Sequence, residues 1–274
     1  MTEHGREATG EAQPSGVSFD ASVAHPARIY NYWLGGKDNF AADRRAAQEV
    51  LDVMPVIAQV ARSNRMFLST AVHYLVAQAG IRQFLDIGTG LPTENNTHEV
   101  AQGVAPESRI VYVDNDPIVL SHARALLTSD PRGRCTYIDA DAREVDKIVT
   151  EAAETLDFSQ PVAVMMLGLL HFIPDADDPY ELTKSYLAAV PSGSYLALSH
   201  ASSDIRTGTP AAARSYNSHS ATAITFRSRQ EVTRFLSGLD LVPPGMAPLG
   251  QWSLGATGTG SAQLPTYAAL ARKP

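Results

Sequence analysis

The chain has 274 residues, 44% of them hydrophobic, which suits one large domain or a domain with an added subdomain. Its formal charge is −7, with 22 Lys and Arg against 29 Asp and Glu, so it lacks the electrostatic footprint for nucleic-acid backbones or anionic membranes. The single cysteine, Cys135, excludes an internal disulfide, and no Cys/His spacing fits a zinc site.

Residues 1–18 are polar, lack the apolar stretch of a signal peptide, and read as a flexible tail. No apolar run approaches the roughly 20 residues that span a bilayer, so the expected location is cytoplasmic. From Pro26 to Gln78 the pattern is helical: Val56, Val60, Phe67, Ala71, Tyr74, Leu75 and Gln78 fall at helical spacings before Gly80 stops the run. Residues 19–80 are therefore expected to form a helical cap. Within it, "ARIYNYWLGGKDNFAADR" sets Tyr30, Tyr32, Trp33 and Phe40 around Gly35-Gly36, a density of rings that either fills a core or covers a ligand.

The grammar then changes. "RQFLDIG", "RIVYVD", "RCTYID", "PVAVMML" and "SYLALSH" are short apolar runs, with helices expected at Glu94–Gln102, Pro117–Leu127, Glu144–Leu156 and Tyr180–Val190. This alternation predicts a parallel sheet covered on both faces. Two weaker strands are expected at Leu239–Pro244 and Thr266–Arg272, on either side of the Gly/Ser/Thr-rich "SLGATGTGSAQ". Residues 81–274 thus read as a doubly wound, mostly parallel, seven-stranded Rossmann-like α/β domain. The short basic clusters Arg44-Arg45 and Arg227-Ser-Arg229 do not make a nucleic-acid surface, and "HEVAQ" at His98 is half a zincin motif.

Ligands of such sheets bind outside the carboxyl ends of the strands. Gly88 and Gly90, in "LDIGTGLPTENN", allow a sharp turn and close backbone approach, and Asp86 stands just before them. Asp114 follows Gly90 at the next strand end, where a carboxylate can accept from two ribose hydroxyls; it can equally cap the next helix. Asp141, at the third strand end, suits either an adenine amino group or a capping box with Glu144. A dinucleotide fingerprint needs glycine where Thr93 stands, so a nucleoside without phosphate fits better than NAD.

"FLDIGTG", "VYVDND" and "DADARE", in this order, resemble the class I S-adenosylmethionine-dependent methyltransferases. More narrowly, "ARIYNYWLGGKDNFAADR" with "FLDIGTGLPTENNTHEVAQ", "SNRMFL", "LGLLHFIPD" and "SRQEVTRFLSGLDLVPPG" is similar to the S-adenosyl methyltransferase family long catalogued as a domain of unknown function. The resemblance implies S-adenosyl-L-methionine as cofactor, held by Tyr32, Asn39, Asp86, Gly88, Thr89, Gly90, Asp114, Asn115, Asp141, Ala142, Leu167 and Gly168. It also implies that Tyr30, Tyr32 and Trp33 belong to a lid, with Gly35-Gly36 letting the chain bend and Lys37, Asp38 and Asn39 supplying polar contacts. His171, after the fourth strand, reads as a general base or as a residue holding its loop. His200, His219, Tyr216 and Asn217 fit an acceptor pocket or a solvated loop. The absence of an N-P-P-Y-type sequence argues against methylation of nucleic-acid bases, so a small-molecule acceptor is expected. A cofactor-binding protein without transferase activity and a nicotinamide oxidoreductase are the alternatives.

Overall fold

All five apolar runs become strands: β1 (Gln83–Ile87), β2 (Arg109–Asp114), β3 (Arg134–Asp139), β4 (Ala163–Leu167) and β5 (Tyr195–Ala201). They pair in parallel in the order β3-β2-β1-β4-β5. Short strands β6 (Asp240–Leu241) and β7 (Ala247–Pro248) both pair antiparallel with β8 (Thr266–Arg272), which itself lies antiparallel to β5. The sheet therefore has eight strands where seven were expected; the eighth is the two-residue β7, too short to show as a hydrophobic run. The computed structural model describes residues 20–126, 129–206, 209–220, 222–253 and 263–274. The expected tail at 1–18, and all of "SLGATGTGSAQ" but its first and last residues, lie outside them.

Nine helices lie among the described residues: α1 (Pro26–Trp33), α2 (Ala41–Val53), α3 (Ile57–Ala77), α4 (Thr97–Val104), α5 (Pro117–Leu126), α6 (Val145–Ala152), α7 (Pro179–Ala188), α8 (Thr209–His219) and α9 (Arg229–Arg234). The two-residue period of a strand divides the sheet's side chains between two cores. Leu85, Val111, Val164, Met166 and Leu198 pack against Ile148 of α6, Tyr186 of α7 and Val232 of α9. On the other face Phe84, Ile110, Met165 and Ala197 meet Phe67, Leu68, Ala71 and Leu75 of α3 and Ala101 of α4. Each such fully buried aliphatic side chain contributes about 1.5–3 kcal/mol. No helix among the described residues is long and apolar enough to cross a membrane.

α1, α2 and α8 form a third, separate cluster through Ile29, Ala46, Ala47, Val50 and Tyr216. The segment around Tyr216 and Asn217 is thus helical, where a solvated loop was the preferred expectation. Its sequence, "TPAAARSYNSH", has no apolar periodicity, and packing against α2 is what makes it a helix. α4 starts at Thr97 rather than Glu94, because Glu99 reaches back to the Asn96 backbone N–H (2.7 Å). α6 ends at Ala152, short of Leu156, where Glu154 and Thr155 donate to carbonyls three residues back. Gly35, with φ +83°, ends α1 in the left-handed conformation, and a Cβ on Gly36 would collide with the Asn31 side chain.

Candidate functional site

A cavity of about 260 Å³ opens at the carboxyl ends of β1 to β5 and runs beneath α1, α2 and α8. Of the expected site residues, Asp86, Gly88, Thr89, Gly90, Asp114, Asn115, Asp141, Ala142, Leu167, Gly168 and His171 line it. Parallel pairing gathers them, since strands in matching register end together.

The β1 turn folds back on β2: the Gly88 and Thr89 N–H groups donate to the Val113 carbonyl at 2.8 and 3.2 Å. Gly88 and Gly90 have φ of +72° and +69°, which side chains resist. A Cβ on Gly88 would press on Leu169, whereas one on Gly90 would meet nothing within 4 Å, so Gly90 borders open space. Asp114 is 7% exposed and accepts from Gly90 N–H (2.7 Å) on Oδ2 and from Asp116 N–H (2.9 Å) on Oδ1. The cap position of α5 belongs to Asp116 instead, whose Oδ1 accepts from Ile118 N–H at 2.9 Å. Each oxygen of Asp114 keeps a further lone pair for a ligand. Burial raises its pKa above the usual carboxylate value.

Asp86 is buried and accepts from the Thr97 hydroxyl at 2.6 Å; burial pushes its pKa up to about 6 against that bond and the nearby Arg65. Asp141 is committed to Arg143, which donates to both carboxylate oxygens at 2.7 and 2.6 Å and continues to Asp177 at 2.7 Å. The Arg143 side chain holds Asp141 below the ordinary carboxylate range. Glu144 accepts from the Asp141 backbone N–H (2.8 Å), but α6 begins at Val145 with Glu144 itself at the cap position, so Asp141 is not the helix cap that the expected capping box required.

Tyr32 and Asn39 do not line the cavity. Tyr30 and Trp33 do, because residues three apart share a helix face and Tyr32 lies across the helix from Tyr30. Tyr32 packs with the α1–α2–α8 cluster. Asn39 is buried within its own turn, donating to Asn31 Oδ1 (2.8 Å) and the Gly36 carbonyl (2.9 Å). His171 accepts the Ala201 N–H on Nδ1 at 3.4 Å, and burial depresses its pKa well below 6.5, helped by His200 and Arg227. His200 is buried in β5, its Nε2 accepting from Arg227 at 2.9 Å and its Nδ1–H donating to the Ala201 carbonyl at 2.8 Å. It does not line the cavity, nor does Asn217, which bonds Ile224; the His219 side chain lies outside the described residues.

Asn64, Arg65 and Ser199 are among the lining residues that the sequence pattern did not assign to the site. Asn64 was visible as a polar residue on the apolar stripe of α3, between Val60 and Phe67. Ser199, inside a uniformly buried strand, gave no such signal. Among the described residues, no group of three His, Cys, Asp or Glu side chains is placed to hold a metal ion.

A parallel sheet of order β3-β2-β1-β4-β5, extended by an antiparallel β8 and bearing its cavity at the carboxyl ends, is the Rossmann-like fold of class I methyltransferases. The chain belongs to the S-adenosyl methyltransferase family, whose sequence profile matches residues 12–274. The cofactor of that family is S-adenosyl-L-methionine. A DUF574 family protein from Streptomyces avermitilis MA-4680 is 42% identical over 93% of this chain and 99% of its own, with a TM-score of 0.89. A candidate methyltransferase from Thermobifida fusca YX is 36% identical over 92% and 96%, with a TM-score of 0.85. The plantazolicin methyltransferase BpumL, solved with S-adenosylhomocysteine, shares the fold at 11% identity over 90% and 96%, with a TM-score of 0.50. No curated protein matches the chain.

Proposed function

We propose that the chain is an S-adenosyl-L-methionine-dependent methyltransferase acting on a small molecule in the cytoplasm, with neither nucleic acid nor membrane as partner. The observation that carries this reading is Asp114: a buried carboxylate, fixed by the Gly90 N–H, facing a cavity beside open backbone. That arrangement fits a nucleoside, with ribose hydroxyls on Asp114 and no phosphate at the α4 end. Asp86 and Arg65 stand where the charged methionyl end belongs, and Asn115, Asp141 and Ala142 border the base. When bound, the cofactor supplies a methyl group on a sulfonium, and the protein's part is positioning and exclusion of water.

α1 and α2, joined by α8, form the lid, with Tyr30 and Trp33 as its inner surface. Residues 19–80 act as a cap on a domain of residues 81–274, and α3 is shared, since it covers the sheet as well. His171 is a positioning residue in this reading: its Nδ1 is taken by Ala201 and its ring stays neutral, so its proton sits on Nε2.

Calorimetry tests the proposal. S-adenosylhomocysteine is expected to bind and NAD not to bind at matched concentration. Asp114→Ala should lower nucleoside affinity more than about tenfold with the fold intact, through lost charge-assisted bonds of about 1.5–3 kcal/mol. Tight NAD binding without S-adenosylhomocysteine binding would sink the reading.

A further inference from the structure

Past Gly168 the cavity continues beyond the ends of β5 and β8, and its chemistry changes. Strands stand about 4.8 Å apart, so the five steps from β3 to β8 cover roughly 24 Å of sheet edge. The carboxylates lining the cavity, Asp86, Asp114 and Asp141, all stand at the ends of β1, β2 and β3. Its arginines are engaged on that side too, Arg65 with the Glu94 and Asn95 carbonyls and Arg143 with Asp141 and Asp177. The far half is walled by Trp33, Met54, Phe172, Tyr216 and Phe226, and no Asp, Glu, Lys or Arg among the described residues lines it.

Four buried polar atoms among the lining residues, Asn64 Oδ1, Arg65 Nε, Ser199 Oγ and Tyr216 Oη, have no hydrogen-bond partner, and of these Asn64 Oδ1 belongs to the side chain beside Gly168. Asn64 is 8% exposed and Ser199 fully buried. The orientation of the Asn64 amide follows from its neighbours. The Tyr30 hydroxyl donates to the Ala61 carbonyl (3.0 Å) and so accepts from Asn64 Nδ2 (3.3 Å), which leaves Oδ1 bare. A bare amide oxygen in a closed apolar space is costly until a ligand brings it an N–H or O–H. Asn64 and His171 flank Gly168: a Cβ there would lie 3.6 Å from Asn64 Nδ2 and 3.7 Å from His171 Cε1.

We propose, building on the methyltransferase reading, that the acceptor is a neutral, weakly basic amine on an apolar, ring-sized body, its N–H donated to Asn64 Oδ1. An oxygen or carbon acid must lose a proton to become nucleophilic, and the far half offers no carboxylate and no free imidazole lone pair to take it. A carboxylate acceptor would enter without a cation to meet it, and an ammonium without an anion. A neutral amine has its lone pair ready. Its nitrogen forms the new N–C bond as the methyl's C–S bond breaks, the C–S pair stays on sulfur, and the positive charge passes to nitrogen. The surplus N–H proton goes to water as product leaves. Asn64 Oδ1 then gains strength as charge develops on the group it holds, which favours the transition state over the ground state. Ser199 Oγ offers a second polar anchor for the ring body.

The test uses the full-length protein saturated with S-adenosylhomocysteine and titrates 5-aminoindole, 5-hydroxyindole and indole-5-carboxylate by calorimetry. Binding of S-adenosylhomocysteine by itself checks the underlying reading, so its failure is distinct from failure of the amine proposal. The amine is expected to bind about tenfold or more tighter than the carboxylate, and with S-adenosylmethionine to gain one methyl on nitrogen by mass spectrometry. Asn64→Leu should weaken the amine probe about tenfold and leave S-adenosylhomocysteine affinity within about twofold. Ala212→Phe, on α8, should narrow the far half and cost the probe a similar factor without touching Asn64. The proposal is overturned if the carboxylate binds as tightly as the amine, if the hydroxyl probe is methylated faster, or if no probe binds. It is equally overturned if Asn64→Leu mainly weakens S-adenosylhomocysteine, since Asn64 would then belong to the cofactor.

Discussion

Asp86 and the two histidines His171 and His200 are each buried, yet burial moves their titrations in opposite directions of stability. Asp86 has its pKa raised from 3.8 to about 6 by burial, so the folded state binds its proton more firmly than the unfolded state. Its contribution is present below pH 4 and is lost as pH rises through about 6, a change of up to about 3 kcal/mol. His200, depressed to about 3 by burial, and His171, depressed well below 6.5 for the same reason, act the other way. Their contribution is present above pH 6.5 and is lost as pH falls. Between pH 4 and 6 the two histidines therefore oppose the buried carboxylates Asp86 and Asp114, whose pKa burial also raises. Asp86→Asn should make the slope of stability against pH more positive, because one opposing carboxylate is gone. Urea denaturation at pH 4, 5, 6 and 7 checks this, and an unchanged or less positive slope in the variant would contradict the burial argument.

At the scale of elements, α1 and α2 are held by a polar cluster at their starts. Asp43, fully buried, accepts from the His25 and Phe40 backbone N–H groups at 2.9 and 2.8 Å, binding the starts of α1 and α2 to one carboxylate. Arg28 Nε lies 3.6 Å from both Asp43 and Asp116, and His25 Nδ1 lies 2.9 Å from Asp116, which ties the start of α1 to the start of α5. Phe40 and Ala27 pack on Leu91, Ile118 and Val119 alongside. Asp43→Ala orphans two partly buried N–H groups and removes a partner of a buried guanidinium, a loss on the order of 3 kcal/mol. Hydrogen exchange should show amides of α1 and α2 losing protection while β1, β4 and β5 keep theirs. Equal loss across the sheet would mean that cap and sheet open as one unit and that a separately mobile lid is wrong.

Across the whole molecule, Arg227 couples the parts of the far half. It is 1% exposed and donates to the Leu170 carbonyl (2.9 Å), the Ile173 carbonyl (2.9 Å), His200 Nε2 (2.9 Å) and Asp175 (2.6 Å). Its guanidinium also lies near the Tyr180 and Phe235 rings. One side chain thereby fixes the loop after β4, the end of β5, and the helices beneath them. Arg227→Met should destabilise the protein by about 3 kcal/mol or more in urea, since two buried carbonyls lose their donor. A loss under about 0.5 kcal/mol would show that water replaces the guanidinium.

The sequence by itself determined the sheet, the order of its helices and the strand-end groups. A strand buried on both faces must be a continuous apolar run, and the first carboxylate or glycine after it marks where the run meets the ligand side. Gly88, Gly90, Asp86 and Asp114 were legible for that reason. Tertiary structure alone decided which rings of α1 face inward, that α8 is a helix, and that Asn64 meets Gly168 from more than a hundred residues away. It also turned Arg227 from one end of a short basic cluster into a buried strut. Each of these depends on a partner distant in sequence: a helix of weak periodicity forms against the surface it covers, and a polar atom becomes a site only when folding removes every other partner.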